Sequence, residues 1–207
     1  QFAGFYVALE KGYYQDAGLN VKIVDGGPET NPIFNLLRGE LSFVTSWLSS
    51  SMTIFDRGAE ISLLSQIFQK SGLTLVSLKK AGIRNIQDLK QKTISSWGDI
   101  FEYPIQAMNL EHALDMEILD AGADFNKVKK GEIDVIAVMS YNELLAIYDS
   151  GVPGSSLSLM RMSDVGYNFP EDGLFTSKSF LKSDSEACRQ FSMASIRGWK
   201  DARQDKE

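Results

Sequence analysis

The stretch Leu37-Arg38-Gly39-Glu40-Leu41-Ser42-Phe43-Val44-Thr45-Ser46-Trp47 is answered further along the chain by Lys129-Lys130-Gly131-Glu132-Ile133-Asp134-Val135-Ile136-Ala137-Val138-Met139-Ser140-Tyr141. Each reads as a helix end, a glycine stop, an apolar strand, and then a serine and an aromatic residue opening a new helix. A strand that is apolar without alternation is buried on both faces, which calls for a sheet covered by helices. The echo therefore restricts the chain to α/β architecture. Two arrangements satisfy it: successive helix-strand units of one domain, which share glycine stops as a matter of course, or two lobes of similar build that face each other.

The remaining pattern follows the same grammar. Phe2, Phe5, Tyr6 and Leu9 have helical spacing over 2–11, and Gly12 ends the segment. Val21 to Val24 reads as a strand that stops at Asp25-Gly26-Gly27-Pro28. A helix over 30–38, a strand over 41–46, a helix over 47–57 and β-rich runs over 61–67 and 73–78 follow. Beyond Lys79 the reading gives helices at 85–91, 100–113, 124–130 and 141–149, alternating with strands at 93–96, 116–119 and 135–140. A glycine-rich break at 151–154, a strand over 158–162 and a long helix from Ser183 complete it. Strands alternating with helices predict parallel sheets.

Composition removes several classes of function. The 207 residues carry 27 acidic against 21 basic side chains, a formal charge of -6, and no Lys/Arg run able to track a phosphate backbone, so no nucleic-acid partner is expected. The single cysteine, Cys188, lies on an apolar helical pattern with Phe191 and reads as core. The one histidine, His112, sits beside Glu111 in an ordinary helical pattern, without metal-ligand spacing, and neither metal nor cofactor is expected. A Gly-x-Ser-x-Gly elbow, a phosphate loop and a Ser or Cys paired with histidine are all missing from the sequence. The pattern points to binding rather than catalysis.

In open α/β sheets, ligands gather beyond the carboxyl ends of strands, where helix N-termini also point. The residues expected there are Trp47, Trp97, Asp99, Tyr141, Asn142 and Glu143, with Glu102 and Asp172 nearby and Gln1 and Phe2 at the mouth of the first helix. Aromatic faces suit a flat ring, and carboxylates accept hydrogen bonds from amino or ring N–H groups. An anionic ligand would meet Glu102, Glu143 and Asp172 at an electrostatic cost. The expected ligand is a neutral or cationic nitrogen heterocycle, such as an aminopyrimidine or a flavin-like ring.

The opening Gln1-Phe2-Ala3-Gly4-Phe5-Tyr6-Val7-Ala8-Leu9-Glu10-Lys11-Gly12-Tyr13-Tyr14, with Ala17-Gly18-Leu19-Asn20-Val21, resembles periplasmic solute-binding proteins of the thiamine-pyrimidine-precursor type, relatives of the alkanesulfonate and taurine binders. The likeness continues through Gly131-Glu132-Ile133-Asp134, Ser140-Tyr141-Asn142-Glu143 and Glu171-Asp172-Gly173-Leu174-Phe175. It implies an α/β, type II periplasmic-binding-protein fold: two lobes joined by two crossovers around a ligand cleft, with a strand before Gln1 and helices after Glu207. The expected division is 1–78 and 174–207 for lobe one and 79–173 for lobe two. The resemblance further implies a periplasmic or extracytoplasmic protein, membrane-tethered in some forms, that closes on a small-molecule ligand and delivers it to an ABC permease. The alternative is a ligand-sensing domain fused to a membrane kinase or cyclase. Fungal thiamine-pyrimidine synthesis enzymes look similar, but they depend on an active-site histidine and a cysteine-rich motif, whereas this sequence has His112 alone, in an ordinary helical pattern, and no cysteine cluster.

Overall fold

A computed structural model describes residues 2–27 and 30–204. In chain order the elements are α1 (Ala3–Glu10), α2 (Tyr13–Asp16), α3 (Pro32–Leu37), β1 (Val44–Trp47), α4 (Leu48–Asp56), β2 (Ile61–Gln66) and β3 (Leu73–Leu78). They continue with β4 (Thr93–Ser96), α5 (Tyr103–Glu111), β5 (Glu117–Asp120), α6 (Phe125–Lys130), β6 (Val135–Met139), α7 (Glu143–Asp149), β7 (Leu157–Arg161), β8 (Asp172–Ser177), α8 (Lys178–Ser183) and α9 (Ser185–Gln204). Short 3-10 turns fill several connections. Two compact units result, residues 1–69 with 170–207 and residues 70–169.

In unit 1, β8 lies between β1 and β2 and runs antiparallel to both. The sequence reading passes over this strand: its Asp172-Gly173 opening has turn chemistry, and burial of nearly every residue leaves no alternation to detect. β8 also explains why this sheet is antiparallel where a parallel one was expected. β1 and β2 point the same way, but the strand that joins them enters from the other unit and runs against both.

The segment expected to be a strand at 21–24 forms no ladder among the described residues. It keeps strand-like alternation all the same, with Leu19, Val21 and Ile23 packed on the core and Asn20, Lys22 and Val24 outward. Its apolar face is satisfied by packing, and among the described residues no strand pairs with its backbone.

The two ends of unit 1 meet through α1 and α9. Buried positions Cys188, Phe191, Ala194, Ser195 and Gly198 form one stripe of α9 at helical spacing. Phe191 stacks on Phe43 with ring centroids 4.1 Å apart and on Tyr14 at 4.9 Å, and the Tyr14 hydroxyl lies 2.9 Å from Ser195 Oγ. Where the helices come closest there is no room for side chains. A Cβ on Gly4 would overlap the Trp199 indole, and one on Gly198 would overlap the Gly4 carbonyl oxygen and lie 2.7 Å from Ala8 Cβ.

Unit 2 holds a five-stranded sheet in the order β5-β4-β6-β3-β7. β5, β4 and β6 are mutually parallel, as expected for strands linked through helices, while β3 is antiparallel to both β6 and β7. The sequence division at 78/79 assigns β3 to the first lobe; its pairing makes it an inner strand of unit 2, so the division falls at 69/70. At the return it falls at 169/170 rather than 173/174. The core between sheet and helices contains Val76, Phe125, Val128, Ile136, Val138, Leu144 and Ile147. Tyr167 is buried in this unit and donates to Glu111 Oε2 at 2.7 Å; burial, then that carboxylate, pushes its phenol up to about 12.

The echo between 37–47 and 129–141 corresponds to α3-Gly39-β1-α4 in unit 1 and α6-Gly131-β6-α7 in unit 2, both glycines at positive φ (76° and 75°). The closest packing in unit 1 gives a stability test. Gly198→Ala should cost about 3 kcal/mol in urea unfolding, because the obstructing atom belongs to backbone. Gly26→Ala, where a Cβ meets nothing within 4 Å, should change stability by less than about 0.5 kcal/mol.

Candidate functional site

Trp47 ends β1 and serves as the N-cap residue of α4, so a single strand-to-helix junction positions it. Across the ladder its Cα partner is Asp172, and Leu48 N–H donates to the Glu171 carbonyl at 3.0 Å. Gln66 ties the same corner from the other side: its Nε2 donates to the carbonyls of Phe68, Glu171 and Asp172 at 3.0–3.1 Å. Two residues chosen from sequence, Trp47 and Asp172, are thus neighbours. Asp172 is 4% exposed and Glu171 fully buried, so this pair of carboxylates belongs to the interior of the corner rather than to an open surface. Phe2, just before α1, is exposed, and Gln1 lies outside the described residues.

Beside this corner is a cavity of about 290 Å³ that sequence reasoning missed. Thr30, Asn31, Ser46 and Ser50 supply its polar lining, and Pro32, Ile33 and Ile54 the apolar part. Among the described residues no carboxylate lines it. Asn31 is committed in part, because its Oδ1 caps α3 by accepting from Phe34 N–H at 3.2 Å. The sequence signal for this pocket is the hydroxyl of Ser46 beside Trp47 at the same strand end.

In unit 2 the carboxyl ends of β4, β5 and β6 carry Trp97, Asp120 and Ser140-Tyr141 respectively. Gly98 leaves β4 with φ 74° and ψ -176°, a conformation reserved for glycine, and Asp99 follows at φ 49°. A Cβ on Gly98 would approach the Asp120 carboxyl to 2.8 Å, so the turn's shape and the acid's position depend on each other. Trp97 meets Phe101 edge-on at 5.5 Å. Asp120 was absent from the sequence expectation, although the strand-end rule that selected Trp97 points to it equally.

The other expected acids are engaged close to home. Glu143 accepts from Met139 N–H through Oε2 at 2.9 Å and from Asn142 Nδ2 through Oε1 at 2.7 Å, which fixes the turn into α7. Glu102 is the N-cap residue of α5 and accepts from Gln106 Nε2 at 3.0 Å. Tyr141, 37% exposed, lies over Gly72, where a Cβ would come within 2.8 Å of its ring and 3.0 Å of Ser140 Oγ. Ser140 N–H donates to the Gly72 carbonyl at 2.9 Å, so a bare backbone stretch forms the seat of this aromatic ring.

The NMT1/THI5-like family profile matches residues 1–207. The chain belongs to the NMT1/THI5-like family. Among curated proteins it is similar to the riboflavin-binding protein RibY of Chloroflexus aurantiacus, 22% identical over 97% of this chain and 58% of that protein, so it spans little more than half of that relative's length. Among solved structures it is similar to the periplasmic aliphatic sulphonate binding protein SsuA of Escherichia coli, with TM-score 0.75 and 10% identity over 98% of this chain and 68% of that one. A putative periplasmic sulfonate-binding protein SsuA of Methylobacillus flagellatus KT gives TM-score 0.73 and 16% identity, covering 95% and 62%. The fold is that of the type II periplasmic binding proteins.

In this NMT1/THI5-like chain each unit therefore presents an aromatic residue at a strand-to-helix junction, Trp47 in one and Trp97 with Tyr141 in the other. No three His, Cys, Asp or Glu side chains group as a metal site among the described residues, and no described helix is long and apolar enough to cross a membrane. The seat of Tyr141 is directly testable. Gly72→Ala should displace the ring, read as a shift of the Tyr141 aromatic NMR signals assigned with Tyr141→Phe. Because a rotating side chain rather than backbone must yield, stability should fall by only about 1 kcal/mol.

Proposed function

We propose that this chain is the ligand-binding portion of an extracytoplasmic solute-binding protein that captures a small nitrogen heterocycle for ABC-type uptake and performs no chemistry on it. The observation that carries the reading is the placement of Trp47, Trp97 and Tyr141 at strand-to-helix junctions, with Asp99, Asp120, Asn142 and Glu143 at the same end of the unit 2 sheet. Aromatic faces give a flat ring stacking and burial, and the exposed carboxylates of Asp99 and Asp120, with the Asn142 side-chain carbonyl, can accept from its N–H edges. The family match and the similarity to a protein named for riboflavin support the same class. On this reading a permease of the ABC type is the partner and the chain works outside the cytoplasm.

A second reading has its own support. Among the described residues the unit 1 cavity is lined by hydroxyls and an amide and by no carboxylate, which suits an anionic group, and two structural neighbours are named for sulfonates. Thermal unfolding separates the two. Riboflavin, an aminopyrimidine, taurine and a longer alkanesulfonate are each tested; a true ligand at 100 times its Kd should stabilise the chain by about 2.7 kcal/mol. The expected result is stabilisation by a heterocycle, weakened about tenfold in affinity by Trp47→Ala through loss of stacking, with the ligand recovered chemically unchanged. Stabilisation by sulfonates alone would reject the heterocycle reading.

A further inference from the structure

One concavity of unit 2 lies away from the aromatic end of its sheet. A pocket of about 450 Å³ is lined by Leu78, Lys79, Lys80, Lys129 and Ser156. Its place in the fold follows from strand direction. β3 runs antiparallel to β6, so Leu73 pairs with Met139 at the carboxyl end of β6, next to Tyr141, and Leu78 finishes at the opposite end. The pocket is therefore separated from Trp97 and Tyr141 by the length of the sheet.

Among the described residues, three lysines and no carboxylate line this concavity, in a chain whose formal charge is -6. Other lysines near this end are neutralised: Lys130 lies 3.8 Å from Glu132 and Lys92 lies 3.4 Å from Asp134. Lys79, Lys80 and Lys129 have no carboxylate within 4.0 Å among the described residues. Lys129 is 6.0 Å above the Phe125 ring, a contact that supports its stem and leaves its charge uncompensated by any acid. Lysines in the last turn of α6 complement its carbonyl end, which accounts for Lys129. It does not account for Lys79 and Lys80, which reach the same space from a 3-10 turn after β3.

Lys79, Lys80 and Lys129 are exposed, so water and salt screen their mutual repulsion, and an anion placed among them is attracted by all three. The pocket's size is within the range of small-ligand sites. Lysines are point charges without the planar fork of arginine, so such a site selects by charge rather than by shape. Ser156 spends its hydroxyl proton on the Pro153 carbonyl at 2.6 Å and adds no donor. A single carboxylate would leave most of the positive charge unmatched, whereas a phosphate-bearing group with two or more negative charges would match it.

We propose that the Lys79–Lys80–Lys129 pocket is a second, anion-binding site that takes a multiply charged phosphate group, independent of the aromatic site. Isothermal titration of the whole chain with inorganic pyrophosphate tests it, alongside co-sedimentation with phosphatidylcholine vesicles with and without phosphatidic acid, whose phosphomonoester can carry two negative charges. Saturable pyrophosphate binding identifies a soluble phosphate as the source. Binding confined to the phosphatidic acid vesicles identifies a lipid headgroup. In either case the triple variant Lys79→Gln, Lys80→Gln, Lys129→Gln should weaken binding about tenfold or more, with its thermal unfolding unchanged. Trp47→Ala should leave it intact, so that failure of the heterocycle reading and failure of this one are told apart. A control with the same charge loss elsewhere, Lys22→Gln, Lys182→Gln, Lys200→Gln, should bind as the unaltered chain does. Absence of binding to both probes, or an equal loss in the control, overturns the proposal.

Discussion

The backbone pairing of β8 with both β1 and β2 is the interaction on which unit 1 depends. Without it those two strands share no ladder, and their backbone donors and acceptors would each need another partner. The pairing is also what returns the chain from unit 2, since β8 begins directly after the second crossing. Once it is in place, Trp47 must face Asp172 and Leu48 must hydrogen-bond Glu171, so the geometry of one candidate ligand residue follows from a sheet register. Gln66, by binding three carbonyls at the same corner, removes the freedom that a strand end would otherwise keep.

Closure of unit 1 needs the chain ends as much as its middle. α1 and α9 approach so closely that Gly4 and Gly198 are required, and the aromatic series Phe43, Phe191 and Tyr14 fills the space beside them. Dispersion between stacked rings is individually small and depends on contact distance, so the glycines at the crossing and the rings along it act together. Unit 2 achieves its order differently. Its parallel core strands are linked through helices, and glycine turns at Gly98 and Gly72 are the places where backbone gives way to a side chain, Asp120 in one case and Tyr141 in the other.

Unit 2 also separates charge along its strands. Acids and aromatic rings occupy the carboxyl ends of β4, β5 and β6, while Lys79, Lys80 and Lys129 meet at the opposite end. Two ends of one sheet with different chemistry can take different ligands without competing, because screening in salt confines each charge group's influence to about 8–10 Å.

By itself the sequence determined the α/β class, the helix-glycine-strand echo, and the strand ends at Trp47, Trp97 and Tyr141, because apolar runs, glycine stops and capping chemistry are local properties. Tertiary structure alone decided the rest. The strand β8 reads as a turn in isolation and exists because two edges accept it; residues 21–24 read as a strand and form no ladder because none of the described strands pairs with them. The same holds for side chains: Glu143 reads as an open acceptor and is spent on Met139 and Asn142, while Asp120 and the three lysines acquire meaning only from neighbours distant in sequence. Local pattern fixes which elements form, but which backbone groups pair and which charges go unmatched depends on contacts between residues far apart along the chain.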